Sequence, residues 1–356
     1  MRTRRVSRRQ ALGSAGSLVI GSRLARTQAP SGTASAPDAR LAPLDELVNS
    51  LEFEEQAKRV LPEPVFSTIT GSDRSAFDRI TFRPRMNVST LDMDLSVALL
   101  GDTLFTPIVV GPISNQHWYH PDGELATVAG ASAARTAMVV SSHSSVPFEQ
   151  LAAKATAPLW YAVYADADAA TRAQAAVAAG ARAVFVTVGA SYRATDGRAV
   201  PAEADPRVDW RRVEAIQQAV DVPVVVKGVT SPEQATMAAD RGVHAIVVSN
   251  FGGLLGGSTT APIDDLLTIV DTVGDRLPIL VDGSFRRATD VLDALIIGAR
   301  GVLLGRPVMW ALAAYGADGV QTVIQILQHD LARAFAMLGA SNLQALTRRH
   351  ITVHSR

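Results

Sequence analysis

The chain has 356 residues, enough for one large domain or two ordinary ones. Hydrophobic residues make up 47% and charged residues 19%, a globular composition that excludes disordered, collagen-like and coiled-coil proteins. Cysteine is absent, which excludes disulfides, thiolate nucleophiles and iron–sulfur clusters, so any redox chemistry requires a bound cofactor. The 34 basic and 34 acidic residues balance, but residues 1–29 hold seven arginines and no acid. The remainder is therefore acidic, which argues against nucleic-acid binding.

The first 36 residues are predicted to be an export signal and linker. Arg8 and Arg9 follow Ser7, and the apolar stretch 11–20 behind them is too short to span a bilayer. This pattern resembles a twin-arginine signal, with residues 34–36 (Ala-Ser-Ala) as the cleavage site. It predicts a periplasmic or other extracytoplasmic location in a bacterium. The alternative is a basic tail or a weak membrane-surface helix, and no later stretch is apolar for long enough to form a membrane span.

Residues 42–59 show the spacing of one or two short amphipathic helices. Eight short apolar runs follow, each leading through a loop into a helical stretch. The predicted strands are Pro107–Ile113, Met138–Ser142, Leu159–Tyr164, Ala183–Val188, Pro223–Val229, Ala245–Asn250, Pro278–Asp282 and Gly301–Leu304. The predicted helices include Asp168–Ala179, Ser231–Arg241, Arg287–Ile297 and a terminal helix Gly319–Leu338. This α/β pattern predicts a single-domain (β/α)8 TIM barrel over residues 42–356, with a doubly wound sheet as the alternative.

Glycine-rich turns follow the last two predicted strands. Gly283-Ser284 and Gly305-Arg306 stand where barrels commonly bind phosphate through backbone N–H groups and a helix start. Arg286 and Arg306 supply forked donors for the same phosphate. In the alternative interpretation, the glycines only end the strands and the arginines pair with acids on the rim.

Lys227 is one of three lysines in the chain and lies in the fifth predicted strand. At a barrel mouth, a lysine serves as a fixed positive charge, a Schiff-base nucleophile or a phosphate contact. Next to a flavin, such a cation would stabilise the reduced, anionic ring. The alternative is a rim lysine whose ammonium group reaches solvent.

Several motifs together carry a family resemblance. They are Ala76–Ile80, Arg83–Arg85, Pro107–Ser114, His120–Glu124, Val226–Gly228, Ser249–Gly253, Asp282–Val291 and Gly305–Pro307. In this order they resemble the FMN-dependent α-hydroxy acid dehydrogenase family, which includes glycolate oxidase and lactate oxidase. The resemblance extends from about residue 44 to about residue 353.

The resemblance implies FMN as the cofactor and assigns a set of residues to it. The residues expected to contact FMN are Ile113, Ser114, Ser141, Thr187, Lys227, Ser249, Asp282, Gly283, Ser284, Arg286, Gly305 and Arg306. Tyr161 stands where the family usually has a glutamine near the ring, and it completes the predicted cofactor set.

The resemblance fails at the residues that carry the family's chemistry. Phe251 stands at the position of the histidine base, and Leu254 at that of the arginine that binds the substrate carboxylate. Gly189 replaces the aspartate that orients the base, and Val163 is aligned with a substrate-contacting tyrosine. Phenylalanine cannot accept a proton, and leucine cannot form an ion pair. We therefore expect an FMN-binding oxidoreductase with a non-standard small-molecule substrate, such as an amine or an activated alcohol, and an unidentified electron acceptor.

Two alternatives remain open. In the first, the chain is a catalytically silent flavoprotein that serves as a binding partner. In the second, it still oxidises an L-lactate-like 2-hydroxy acid, and another residue replaces the missing base. His143 and His117 are the candidates for that base, because both lie in loops that follow predicted strands. No metal site is predicted. By analogy with the family, a homo-oligomer is expected.

Overall fold

The computed structural model describes residues 40–71, 73–85, 92–189, 208–250 and 261–354, together with the backbone of two short strands within 192–201. The predicted export signal, Phe251 and Leu254 lie outside the described residues. The described part of the chain contains fourteen strands, numbered here in chain order. They are β1 (Ile80–Phe82), β2 (Val97–Leu99), β3 (Asp102–Leu104), β4 (Ile108–Val110), β5 (Met138–Ser141), β6 (Leu159–Tyr164), β7 (Val184–Thr187), β8 (Tyr192–Thr195), β9 (Arg198–Pro201), β10 (Val224–Val229), β11 (Ala245–Val248), β12 (Ile279–Val281), β13 (Gly301–Leu304) and β14 (Ile351–Val353).

Eight of these strands form a closed parallel barrel, in the order β4-β5-β6-β7-β10-β11-β12-β13 with β13 returning to β4. Each of the eight predicted strands corresponds to one barrel strand, so the (β/α)8 prediction is confirmed and the doubly wound alternative is wrong. The remaining strands form three antiparallel pairs: β1 with β14, β2 with β3, and β8 with β9.

Ten α-helices surround the barrel within the described residues. They are α1 (Ser50–Val60), α2 (Glu63–Phe66), α3 (Gly123–Ala133), α4 (Phe148–Ala152), α5 (Ala169–Ala178), α6 (Trp210–Ala219), α7 (Pro232–Asp240), α8 (Pro262–Val273), α9 (Ala288–Ile297) and α10 (Arg306–Leu338). The 3-10 helix Leu44–Glu46 and α1 confirm the short helices predicted over residues 42–59, and Asn49 caps α1 through its side-chain oxygen.

The terminal helix is longer than the sequence pattern indicates. It begins at Arg306, directly after β13, instead of at Gly319. Gly316 has non-helical backbone angles (φ 58°, ψ −138°) and divides α10 into two helical segments. A pattern that treats glycines as helix boundaries finds only the second segment. None of the described helices is long and apolar enough to cross a membrane.

The barrel strands separate two apolar layers, because successive side chains point to opposite faces. The side chains that fill the barrel interior include Val109, Val139, Trp160, Ala162, Phe185, Val225, Val247, Leu280 and Leu303. The β2–β3 hairpin contributes Val97, Leu99 and Leu104 to this cluster. Asp102, at the start of β3, accepts a hydrogen bond from Trp160 Nε1 at 3.1 Å. Trp160 lies near the start of β6, so the hairpin closes the amino-terminal end of the barrel. Only the carboxyl-terminal end remains for a site.

Candidate active site at the carboxyl-terminal end of the barrel

Every second side chain of a barrel strand points inward, so the residue two positions after the last interior side chain also faces the barrel axis. Two residues after the last interior side chain of each strand, at the strand end or directly after it, stand Gly111, Ser141, Tyr164, Thr187, Lys227, Ser249, Asp282 and Gly305. Six of these eight belong to the cofactor set predicted from the sequence. The structure therefore brings this part of the predicted site together. These eight residues are called the mouth layer below, because they lie at the open, carboxyl-terminal end of the barrel.

Lys227 is the central charge of this layer. Its ammonium group donates to Ser249 Oγ at 3.0 Å and lies 2.8 Å from Asp282 Oδ2. Lys227 is 3% exposed, so the interpretation as a rim lysine reaching solvent is wrong. Its strand neighbour across the β7–β10 ladder is Thr187, another predicted contact. The other Asp282 oxygen, Oδ1, is buried and has no hydrogen-bond partner among the described residues.

The loops after β4 and β5 are bonded to each other at this end. Ser114 Oγ and Ser141 Oγ lie 2.9 Å apart, and the Ile113 carbonyl accepts from Gln116 Nε2 at 3.3 Å. Glu124 Oε1, in the first turn of α3, accepts from the backbone N–H groups of Gln116 and Ser145, at 3.1 and 3.0 Å. One fully buried carboxylate thus links both loops and fixes Ile113 and Ser114 beside Ser141.

The ends of β12 and β13 carry two arginines. Burial, and next the positive charge of Arg306, lower the pKa of Arg286 to about 9. Burial also lowers the pKa of Arg306, while the negative charge of Glu54 acts in the opposite direction on both. No carboxylate lies within ion-pair distance of Arg306 among the residues described. Arg306 is also the first residue of α10, whose N-terminal N–H groups favour an anion.

Asp290 fixes the turn that holds Arg286. Its carboxylate accepts from the backbone N–H groups of Arg286 and Arg287, both at 2.8 Å, and pairs with Arg74 at 2.6 Å. The Arg286 guanidinium donates to the Phe285 carbonyl at 2.9 Å and stacks over Trp310, with Cζ 4.7 Å from the ring centroid. The position of this cation is therefore set before any ligand binds.

The chain matches the FMN-dependent dehydrogenase family over residues 66–204 and 190–353. It is 33% identical to a peroxisomal (S)-2-hydroxyacid oxidase of Arabidopsis thaliana, over 86% of this chain and 97% of that protein. It is 35% identical to an L-lactate oxidase of Nostoc sp., over 83% of this chain and 96% of that protein. The chain belongs to the FMN-dependent α-hydroxy acid dehydrogenase family.

Solved structures of this family have the same fold. A mandelate oxidase with a bound difluorinated hydroxy acid matches with a TM-score of 0.79 and 31% identity, over 87% of this chain and 100% of that one. A flavocytochrome b2 mutant with bound pyruvate matches with a TM-score of 0.81 and 28% identity, over 87% of this chain and 88% of that one. These relatives are FMN-dependent 2-hydroxy acid oxidases and dehydrogenases, and the chain is accordingly an oxidoreductase of this family whose cofactor is FMN.

Features of this structure fit FMN. The buried Asp282 Oδ1, which has no hydrogen-bond partner in the part of the chain that the structure describes, suits a hydroxyl donor such as the ribityl chain carries. Among the described residues, the nearest atom to a Cβ placed on Gly305 would be Ile113 Cδ1 at 4.0 Å, so these residues leave space above Gly305. The two arginines and the start of α10 together suit a phosphate.

Tyr161 is the one predicted cofactor residue that the structure does not place at the mouth. It belongs to the outer layer of β6, where its ring packs edge-on against Phe148 of α4 at 5.3 Å. Val163, aligned in the sequence with a substrate-contacting tyrosine, faces the same outer layer. The inward positions of β6 are Ala162 and Tyr164. Counting by twos from the interior Trp160 would have found Tyr164 in the sequence.

The two candidate histidines lie in different surroundings. The ring of His117 lies directly against Gly123 at the start of α3, and the residue is exposed. His143 is half-buried, and its ring packs edge-on against Tyr164 with 5.1 Å between ring centroids. Burial, and next the positive charge of Arg172, lower the pKa of His143 below its ordinary value. Among the described residues, no group of His, Asp or Glu is arranged to hold a metal ion.

Replacement of Gly283 by alanine is expected to weaken both the fold and cofactor binding. Gly283 has φ 99°, and a Cβ there would lie 3.0 Å from Pro262 Cγ. Forcing an L-residue into this region costs on the order of 1–2 kcal/mol, so the turn is expected to shift. Urea unfolding and FMN titration of Gly283→Ala measure the two effects.

Gly180→Ala is the matched control for this variant. Gly180 also has positive φ (106°), but a Cβ there would meet no atom within 4 Å, and the residue follows α5, away from the mouth of the barrel. We expect it to lose stability through backbone strain alone and to bind FMN as the wild type does. Equal FMN affinity in the two variants would contradict the expectation.

Proposed function

We propose that this family member oxidises a neutral or cationic substrate instead of a 2-hydroxy acid anion. The observation that carries the proposal is the combination of the buried Lys227–Asp282 ion pair with Phe251 and Leu254 at the family's base and carboxylate-binding positions. A carboxylate substrate that meets leucine at the family's carboxylate-binding position loses its hydration there and gains no ion pair. A neutral alcohol, an ester or amide of a hydroxy acid, or an amine avoids this cost.

The residues that would hold FMN are those of the mouth layer and the two turns beside it. Lys227 would lie against the electron-rich edge of the ring, with Ser249 and Asp282 holding its ammonium group in place. Ile113, Ser114, Ser141 and Thr187 would contact the ring from the neighbouring strand ends. Gly283, Ser284, Arg286, Gly305 and Arg306 would hold the phosphate end, and Tyr161 is left out because it lies in the outer layer. When bound, FMN supplies a two-electron acceptor for a hydride.

The charges near the mouth support a neutral substrate. Arg172 lies close enough to His143 to lower its pKa, but both Asp166 oxygens accept from Arg172 Nη2 at 2.6 Å. This ion pair leaves little positive charge for a substrate carboxylate. Lys227 is likewise held by a carboxylate, that of Asp282.

The test compares matched substrates with FMN-loaded protein in the absence of oxygen. Mandelate is compared with 2-hydroxy-phenylacetamide, and L-lactate with its methyl ester; benzylamine represents the amines. We expect the neutral member of each pair to bleach the flavin band with a second-order rate constant at least about 10-fold higher, equivalent to ~1.4 kcal/mol. Faster bleaching by mandelate and L-lactate would contradict the proposal and would show that the protein oxidises ordinary 2-hydroxy acids. A flavin that no compound reduces would favour the catalytically silent flavoprotein, which the joint loss of base and carboxylate-binding residue supports.

The export signal remains part of the proposal. The pair Arg8-Arg9 and the small residues 34–36 support transport of the folded, FMN-loaded protein out of the cytoplasm. An Arg8→Lys, Arg9→Lys variant that still accumulates in the periplasm to the full extent would contradict it. The proposal also includes an electron acceptor, which is unidentified, and a homo-oligomeric state, which rests on analogy with the family alone.

A further inference from the structure

The proposed function leaves open which group takes the substrate's proton, and the end of β5 offers a candidate. Ala137, just before β5, and Val139 within it face the barrel interior, and Ser141 continues this series into the mouth layer. His143 follows Ser141 by two residues. Its ring contacts Tyr164, the inward residue at the end of β6, and Tyr164 is the strand neighbour of Thr187 in β7. Thr187 in turn pairs with Lys227. His143 thus lies on the same rim of the barrel as the mouth layer.

Several bonds fix the backbone of His143. Its N–H donates to Ser141 Oγ at 3.1 Å, and its carbonyl accepts from the Asn115 N–H at 3.0 Å. Ser141 Oγ also contacts Ser114, in the loop that Glu124 holds. The imidazole Nδ1 lies 3.4 Å from Ser142 Oγ. This histidine is therefore held by the same network that positions the predicted contacts to the flavin ring.

The surroundings of His143 keep its imidazole neutral. The ring is partly removed from water and lies near the Arg172 cation, and both effects lower its pKa; Asp166 opposes them. Tyr164 packs against the ring, and Ser142 lies beside it. Neutral imidazole is the form that accepts a proton, so the surroundings suit a general base at neutral pH.

We infer that His143 is the base that accepts the substrate's hydroxyl proton, in place of the family base that Phe251 replaces. The inference rests on the proposed oxidation of an alcohol group. In that reaction the substrate carbon loses a hydride, which FMN accepts with both electrons, and the oxygen loses a proton, which His143 accepts at Nε2. The carbon–oxygen single bond becomes a double bond, and the proton later leaves to solvent. Tyr164 positions the imidazole through its ring contact.

The first test follows the imidazole itself, independently of turnover. In FMN-loaded protein with 15N-labelled histidine, addition of 2-oxo-2-phenylacetamide, the ketone product of the amide probe, is expected to raise the pKa of His143. A protonated His143 donates to the product carbonyl, and this hydrogen bond favours the charged form. A His143 resonance that titrates identically with and without the ketone at saturating concentration overturns the inference.

The second test measures flavin reduction by 2-hydroxy-phenylacetamide across pH in His143→Ala, with His329→Gln as the control. His329 is exposed on α10, and its neighbour Gln328 bonds to Thr136 just before β5, at the amino-terminal end of the barrel. Loss of a general base is expected to slow reduction by about 10²–10⁴-fold and to abolish the acid limb of the pH profile. Added imidazole is expected to restore part of the rate by filling the space that the truncation leaves, a rescue that a structural role would not give. Retention of FMN by His143→Ala shows that the variant is folded.

The outcomes distinguish a failure of the role of His143 from a failure of the proposed function. Wild-type protein that the alcohol probes reduce, beside a His143→Ala variant with an unchanged rate and acid limb, overturns the role of His143 and leaves the proposed function standing. Wild-type protein that only the amine reduces, or that no probe reduces, overturns the role of His143 together with alcohol oxidation. A slow variant that imidazole rescues, with the control unchanged, supports both.

Discussion

Lys227→Met is expected to slow flavin reduction strongly and to weaken FMN binding. Lys227 is buried, donates to Ser249 and pairs with Asp282, so the substitution removes the positive charge of the mouth layer and leaves the Asp282 carboxylate without its cation. Breaking a buried pair by removing one partner costs about 3–5 kcal/mol. Loss of a preorganised charge at a reacting centre slows the reaction by about 10²–10³-fold. Stopped-flow measurement of flavin bleaching and FMN titration measure the two effects.

Two further variants separate the charge of Lys227 from its contribution to folding. Lys154→Met, at an exposed lysine, is the matched control and is expected to behave as wild type. In Lys227→Met with Asp282→Asn, the uncompensated carboxylate is removed as well, so the free energy of unfolding recovers in part while flavin reduction stays slow. A Lys227→Met protein that binds FMN and is reduced at the wild-type rate would contradict the central role of this charge.

Asp293→Asn is expected to stabilise the protein above about pH 8. Asp293 is 2% exposed in α9, and its Oδ1 has no hydrogen-bond partner among the described residues. Burial, and next the negative charge of Asp290, raise its pKa from 3.8 to about 8. The folded protein therefore prefers the neutral carboxyl group, which asparagine reproduces without a charge.

The direction of the pH effect follows from the proton balance. Between the pKa of the unfolded chain and that of the folded state, the folded protein holds a proton that the unfolded chain has lost. The stabilising contribution is complete below pH 3.8 and is lost as the pH rises through about 8. A shift of this size corresponds to several kcal/mol at about 1.4 kcal/mol per pH unit, of which relaxation around the site leaves an expected gain of about 3 kcal/mol for Asp293→Asn at high pH.

Urea unfolding at pH 5, 7 and 9, at a fixed saturating FMN concentration, measures this gain. The difference between Asp293→Asn and wild type is expected to grow steadily from pH 5 to pH 9. Asp275→Asn, at an exposed aspartate, is the control and is expected to show no such trend. A difference for Asp293→Asn that is the same at all three pH values would show that the buried carboxyl group does not titrate on folding.

The prediction of Tyr161 shows where reasoning from the sequence loses precision. The apolar run Leu159–Tyr164 is buried throughout, so hydrophobicity alone does not distinguish its inner face from its outer face. The assignment of Tyr161 to the cofactor rests on alignment with a family glutamine. In the structure, Trp160 fills the barrel interior and Tyr161 packs on α4, which sets the parity of the whole strand. A shift of one residue moves the assignment to the wrong layer.

The sequence by itself determined the barrel, the order of its strands and most of the residues at its open end. Parallel strands covered on both faces are continuous apolar runs, and the residues that follow them must meet at one end of the barrel. Only the tertiary structure decided which of these residues touch. Lys227 and Asp282 belong to strands that are not adjacent in the barrel, and their contact depends on strand stagger and side-chain direction, which no local pattern encodes. The burial of Asp293 and the contact between His143 and Tyr164 likewise arise from packing between distant segments.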